Sequence, residues 1–387
     1  MVRNKLMIMR FLLLLSALLT MTSCSSKYKD QPVAEGSELG FSINFFKNVL
    51  EHSASDTNVT VSPYSAGVAL SMLAEGAAGQ TAAELDNALH GCRFVDTDLG
   101  NNDTVTVKSA NSVWISDDFS IRNTYVSRLS KEYDAYANVM NFASPEAVHA
   151  INNWCSENTE GMIKDILKEL DPLTVMILAN ALYFKAPWED PFDSQFTRKA
   201  VFHGSKGDTE PMFMTGKKTC GYLEYNGSQV VALPYKDARY AMYIFLPAAN
   251  LKETDLLSYM SESGLDEIMK NMDSKKVRLT MPKFKVEYEM SLVETLEALG
   301  VLSVFTSAAD LSGIAHGPLA VSDVFQKAVV DVDESGSEAA AVTAIMVKMT
   351  SVRVDPEPVM TVDRPFYYMI ADMDAGRILF AGRIMNL

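Results

Sequence analysis

The chain has 387 residues, enough for one large domain or two, and 48% of them are apolar, ample for a sizeable core. Its 34 basic residues against 49 acidic ones give a net charge of −15, which repels nucleic acid and anionic polysaccharide and favours solubility. No basic run is long enough to override that field.

Residues 1–23 read as a targeting segment. Arg3, Lys5 and Arg10 open it, and Phe11–Leu19 is an apolar run too short to span a bilayer comfortably. Met21-Thr22-Ser23-Cys24 is similar to a bacterial lipoprotein cleavage box, which makes Cys24 the acylated first residue of the mature chain. An ordinary secretory signal followed by an incidental cysteine is the other reading. The expected location is the bacterial cell envelope, anchored by lipid at Cys24 in the outer membrane and facing the periplasm or the surface, or else secretion. Loss of the leader takes the net charge from −15 to −18. Residues 24–37 read as a tether, and 38–387 as one interlocked α+β domain. Cys92, Cys155 and Cys220 are widely spaced, with no CxxC, and read as structural thiols.

In chain order, Phe41, Phe45 and Val49 recur at helical spacing from Glu38. Ser62-Pro63 opens a second helix, with serine as cap and proline at its first position, and Gly76 stops it. Thr81 and Glu84 suggest a capping box for a third. Residues 91–106 are polar and read as a loop, and Ser109–Ile115 as a strand. Ile151–Leu170 reads as helical. Val175–Phe184 is a continuous apolar run broken only by Asn180, as in a strand buried on both faces. A buried asparagine needs hydrogen-bond partners, so Asn180 is either a latch or a satisfied core amide. Val231–Leu233 and Tyr240–Leu246 read as strands around a turn at Lys236-Asp237. Ser291 and Glu294 suggest another capping box, before Leu292, Leu296, Leu299 and a stop at Gly300. Short strands around Phe366–Ile370 and Arg377–Ile384 close the chain.

Catalytic motifs are missing. None of the five histidines sits in HExxH, there is no GxSxG elbow, and GAAGQT at 76–81 lacks the lysine of a phosphate loop. No enzyme activity, metal or cofactor is expected.

The stretch from Glu334 to Val354 is different. Ala328–Asp333 before it alternates like a half-buried strand, and no proline follows until Pro356. With a period of two, one face carries Ser337, Ala339, Ala341, Thr343, Ile345 and Val347, all small or apolar. The other carries Glu338, Ala340, Val342, Ala344, Met346 and Lys348. This suits a strand able to slot between two others, although 337–346 alone suits an alanine-rich helix nearly as well.

Taken with its motifs, the chain resembles the serpin family over nearly all of 38–387. The motifs run in that family's order: NVTVSPYSAGVALSMLAEGAAGQT (58–81), INNWCSENTEGMI (151–163), NALYFKAPWEDPF (180–192), LPYKD (233–237), MPKF (281–284), LEALGVLSVFTSAADLSGI (296–314), ESGSEAAAVTA (334–344) and DRPF (363–366). The resemblance implies an α+β serpin fold: three β-sheets, a helical shell and an exposed reactive-centre loop, here about 334–358. It implies a suicide-substrate inhibitor of serine proteases, with cysteine proteases as a further class. The protease cleaves the loop, and the loop inserts into the main sheet and traps the acyl-enzyme. The alternative is a non-inhibitory serpin-fold binding or carrier protein. A new strand of about 14 residues at roughly 3.3 Å each adds some 45 Å of paired edge, which is ample to drive insertion.

By motif, the hinge is Glu334, Gly336, Ser337, Glu338, Ala339, Ala340 and Ala341. The region over which the sheet parts carries Ser62, Asn180, Trp188 and Gln326, the last standing where many serpins have histidine. Counting forward from Gly336 puts the reactive bond at Thr350-Ser351; counting back from Pro365 puts it after Val354. Lys348, Met349 and Arg353 are alternative cleavage positions. Threonine before the cut suits elastase- or subtilisin-like proteases, and Lys348 or Arg353 suits trypsin-like ones. A monomer is expected, with no nucleic acid partner, no evident heparin site, and membrane contact only through Cys24.

Overall fold

The computed structural model describes residues 37–95, 99, 101–251, 257–337 and 357–387. Seven α-helices lie among them: α1 (Glu38–His52), α2 (Pro63–Ala74), α3 (Gly79–Ala88), α4 (Asn123–Glu132), α5 (Ala147–Asn158), α6 (Glu262–Asn271) and α7 (Val293–Ala298). The strands of the first half are β1 (Val59–Val61), β2 (Thr106–Ser116), β3 (Tyr136–Met140), β4 (Met176–Pro187), β5 (Arg198–Lys199), β6 (Phe202–Gly204) and β7 (Gly207–Thr209). Then come β8 (Met212–Tyr225), β9 (Ser228–Pro234), β10 (Tyr240–Leu246), β11 (Asp273–Pro282) and β12 (Phe284–Ser291). The last are β13 (Asp323–Val332), β14 (Gly336–Ser337), β15 (Val359–Thr361), β16 (Phe366–Asp372) and β17 (Arg377–Ile384).

They form three sheets. The first has the order β12-β13-β14-β4-β2-β3. The second runs β1-β17-β16-β10-β9-β8-β11-β15, with β5 added to β8, and the third is the hairpin β6-β7.

The central strand β4 of the first sheet is buried on both faces, as its apolar run required, while the edge strands β3 and β12 are partly exposed. Val113, Ile115, Leu178 and Leu182 face the main core, which also takes Phe41, Phe45 and Phe46 of α1 and most of β16 and β17. Ala110, Trp114, Ile177, Ala179 and Ala181 face the other way and pack with Ile151 and Cys155 of α5. Burial pushes the thiols of Cys155 and Cys220 up to about 12, so neither is a nucleophile at neutral pH.

Ser62 caps α2 through the Ser65 N–H (3.1 Å), as its place before Pro63 indicated. Gly300 closes α7 at φ +90°, and the Val301 N–H reaches back to the Leu296 carbonyl (2.9 Å).

Three local expectations fail for the same reason. The helix expected over 151–170 stops at Asn158, because Asn152 accepts the Ile166 and Leu167 N–H groups (both 2.9 Å) and pins that segment as an irregular turn. Thr81 and Glu84 form no capping box: α3 begins at Gly79, Thr81 accepts the Asp310 N–H, and Glu84 accepts those of Leu302 and Ser303. Ser291 donates to Asp323 (2.5 Å) instead of boxing with Glu294. In each case a side chain that would have served its own helix serves a distant backbone or carboxylate.

Candidate functional site: a strand seat above a polar ladder

The seam between β4 and β13 is the place to look for function, because it is only half closed. The two strands pair in parallel from Asp323 opposite Ile177 to Ala328 opposite Leu182. Beyond that row they no longer pair with each other, and β14 enters between their ends. Gly336 pairs with Pro187 and Ser337 with Ala186, antiparallel, while Ser337 also pairs with Val332 on the other side.

Gly336 is required there by contact. A Cβ on it would lie 2.2 Å from the Ala186 carbonyl oxygen and 2.6 Å from the Pro187 Cα, both backbone atoms that cannot give way. Ser337 is 1% exposed and its hydroxyl lies 2.7 Å from the Tyr235 hydroxyl. Tyr235 stacks on Trp188 with ring centroids 4.5 Å apart and planes inclined by 13°. Trp188 in turn holds the turn before the seat: its backbone N–H donates to the Ser335 carbonyl (2.8 Å) and its indole N–H to that of Asp333 (3.0 Å). Asp333 closes the turn by accepting the Ser335 N–H at 2.7 Å.

Glu334 ties this turn to the junction of β11 and β12 and to the residue before β5. Burial works against its ionisation, but hydrogen bonds from Lys283 (2.6 Å) and Thr197 (2.7 Å) outweigh that and hold its carboxyl below the ordinary range. A carboxyl whose folded pKa is depressed stabilises the fold fully above its unfolded value of about 4.3 and loses that contribution as pH falls through the folded pKa. Acidification below about pH 4 is therefore expected to red-shift the emission of Trp188 in a chain carrying Trp114→Phe and Trp154→Phe. Glu334→Gln should show the shifted emission already at neutral pH and no acid step; an unchanged acid step in that variant would remove Glu334 as its cause.

Below the seat, three amides form a row across the sheet. Asn111 of β2 is opposite Asn180 of β4, which is opposite Gln326 of β13. All three are buried. Asn180 donates its amide N–H to the Asn111 side-chain Oδ1 and accepts from the Ser65 hydroxyl. Gln326 grips the backbone of Ser62 from both ends, accepting its N–H and donating to its carbonyl, each at 2.9 Å. The row is a satisfied network that fixes the sheet to the start of α2, and an amide in place of an imidazole leaves it without a protonation step near neutrality.

Of the residues picked out by motif, Ser62, Asn180, Gln326, Trp188, Glu334, Gly336 and Ser337 thus meet along one seam. Glu338, Ala339, Ala340, Ala341, Lys348, Met349, Thr350, Ser351, Arg353 and Cys24 lie outside the described residues. Sequence reasoning missed Ser65, Asn111, Tyr235, Lys283 and Thr197. Tyr235 and Lys283 stood inside quoted motifs, and Asn111 inside a predicted strand, yet only the register between distant strands gives them partners.

The comparisons with known proteins agree with one another. A family model described as Serpin (serine protease inhibitor) matches residues 37–387. An uncharacterized serpin-like protein of Thermococcus kodakarensis is 34% identical over 362 residues, covering 89% of this chain and 84% of its own. The leukocyte elastase inhibitor of Bos taurus is 32% identical over 369 residues, 89% of this chain and 97% of its own. The crystal structure of the thermophilic serpin tengpin in its native state superposes with a TM-score of 0.84 at 29% identity, covering 95% of this chain and 100% of that one.

Proposed function

The chain belongs to the serpin family, whose members are generally protease inhibitors rather than enzymes, and from that premise we propose that it traps proteases by insertion of its cleaved loop. The reading rests on the seated pair Gly336-Ser337. The main sheet already accepts the first residues of the loop as a strand, antiparallel to β4, between the ends of β4 and β13 where those two strands no longer pair with each other. Each further residue that follows them adds ladder hydrogen bonds of about 1 kcal/mol net and buries one of the small faces from Ser337 to Val347. Proline would interrupt the ladder, and none lies between Glu334 and Val354.

The reactive bond we assign is Thr350-Ser351, which suits an elastase- or subtilisin-like protease, with Lys348, Met349 and Arg353 as flanking alternatives. A relative named for leukocyte elastase supports the first class. The mature chain is held at the bacterial envelope through Cys24 as a monomer, and it shields the cell from proteases that reach it.

The test is incubation of the mature protein with a panel of elastase-, subtilisin- and trypsin-like proteases. A complex stable to detergent should form, releasing a peptide whose mass equals residues 351–387. Clean cleavage without complex across the whole panel would overturn the inhibitor reading, and a different peptide mass would move the bond.

A further inference from the structure

Lys218 breaks the pattern of its strand. It stands on the inward face of β8, in the row of Met214, Gly216, Cys220 and Tyr222, and its partner across β11 is the buried Val277. The side chain is only 6% exposed. Folding alone does not call for a cation there, because a buried ion seldom adds more stability than a well-packed apolar side chain of similar volume.

The contacts of the ammonium give it a use. Its Nζ donates to the Asp190 carbonyl and the Pro191 carbonyl, each at 2.7 Å, and lies 3.4 Å from the Asp190 carboxylate and 4.2 Å from the centre of the Phe192 ring. Burial pulls the group below the ordinary lysine range, and the Asp190 carboxylate works against that pull. Gly216 leaves room for the stem, since a Cβ there would lie 3.1 Å from the Lys218 Cε.

Two of these acceptors belong to the backbone of the turn 188–192, and that turn carries the root of the loop. Its Trp188 N–H donates to the Ser335 carbonyl and its Phe192 N–H to the Glu334 carbonyl, both at 2.8 Å. The Pro191 carbonyl and the Phe192 N–H are the two ends of one peptide group. A cation on the first end polarises the peptide and strengthens the hydrogen bond given by the second.

We infer that Lys218 is a positioning residue for loop insertion: through the Pro191–Phe192 peptide it fixes the Glu334 carbonyl, and with it the turn from which Gly336 and Ser337 enter the seam. This rests on the inhibitor reading. A root held in one conformation leaves less backbone freedom to be removed when the strand starts to form, so insertion gains on hydrolysis of the acyl-enzyme.

The test is Lys218→Met, which keeps the length of the stem and removes the charge. Heavy-isotope labelling of proline carbonyl carbons and phenylalanine nitrogens singles out two amides by nuclear magnetic resonance, those of Phe192 and Phe366, because only these phenylalanines follow proline. In the variant the Phe192 amide proton should move upfield while that of Phe366 stays. The yield of detergent-stable complex per cleaved loop should fall at least threefold, with the melting temperature of the uncut chain held or raised. An unmoved Phe192 signal overturns the inference, as does a moved signal with undiminished yield. A yield that falls together with the melting temperature marks a structural effect and overturns it too. If Lys218→Met does not accumulate as folded protein, Lys218→Gln, which keeps N–H donors without the charge, is read in the same way. Failure of the wild-type chain to trap any protease removes the inhibitor reading itself, and the role of Lys218 in insertion with it.

Discussion

Cleavage of the loop between Lys348 and Val354 is expected to raise the unfolding temperature by on the order of 15 °C, with the chain otherwise intact. Among the described residues, the sheet holds Gly336 and Ser337 of the loop. Cutting frees the N-terminal arm to continue downward between β4 and β13, replacing their parallel pairing with two antiparallel ladders. A strand of about 12–14 residues gains hydrogen bonds of about 1 kcal/mol each and the burial of its alanine and β-branched face, against roughly 1–2 kcal/mol of ordering entropy per residue. A net gain of order 10 kcal/mol, divided by an unfolding entropy near 0.7 kcal/mol/K for a chain of this size, gives the shift. Calorimetry before and after a single nick measures it. A nicked chain that melts at the same temperature, with the cut confirmed by mass, would mean that the arm does not insert.

On the inhibitor reading, Ser337→Arg should turn the chain from inhibitor into substrate. The side chain at 337 is 1% exposed, and its hydroxyl meets the Tyr235 hydroxyl, whose ring stacks on Trp188. An arginine there must bury an unpaired charge, which costs several kcal/mol, or abandon the seat. Either way the first step of insertion slows while hydrolysis of the acyl-enzyme does not, and each 1.4 kcal/mol added to the insertion barrier costs a factor of ten. The yield of stable complex should fall at least tenfold with the rate of loop cleavage unchanged. Ser337→Ala removes only one hydroxyl contact, and its yield should stay within a factor of a few of the parent. Complex yield undiminished in Ser337→Arg would show that the seat plays no part in trapping.

Much of this arrangement was legible in the chain. The run from Val175 to Phe184 announced a strand buried on both faces, and the polar interruption at Asn180 marked where that strand had to find partners. Gly336 stood out between two serines ahead of the alanine run, and the structure adds why: its neighbours are the backbone of Ala186 and Pro187. The illegible part is everything that register decides. Asn180 needs Asn111 and Ser65, which lie 69 and 115 residues away in sequence. Glu334 needs Lys283, from the junction of β11 and β12, and Thr197, just before β5. Local signals also misled wherever tertiary contacts outbid them: Thr81 and Glu84 had the spacing of a helix cap, but the backbone of 302–310 claimed both side chains.

The six paired rows from Asp323–Ile177 to Ala328–Leu182 have a further consequence. On the inhibitor reading they are the zip that must open for a full strand to enter, and they also keep the uncut chain from swallowing its own loop. Shelf life and speed of capture are therefore set at one locus and pull against each other. A mutation that tightens those rows lengthens the working life of the molecule and slows its race against deacylation. One that loosens them makes a faster trap that spends itself sooner.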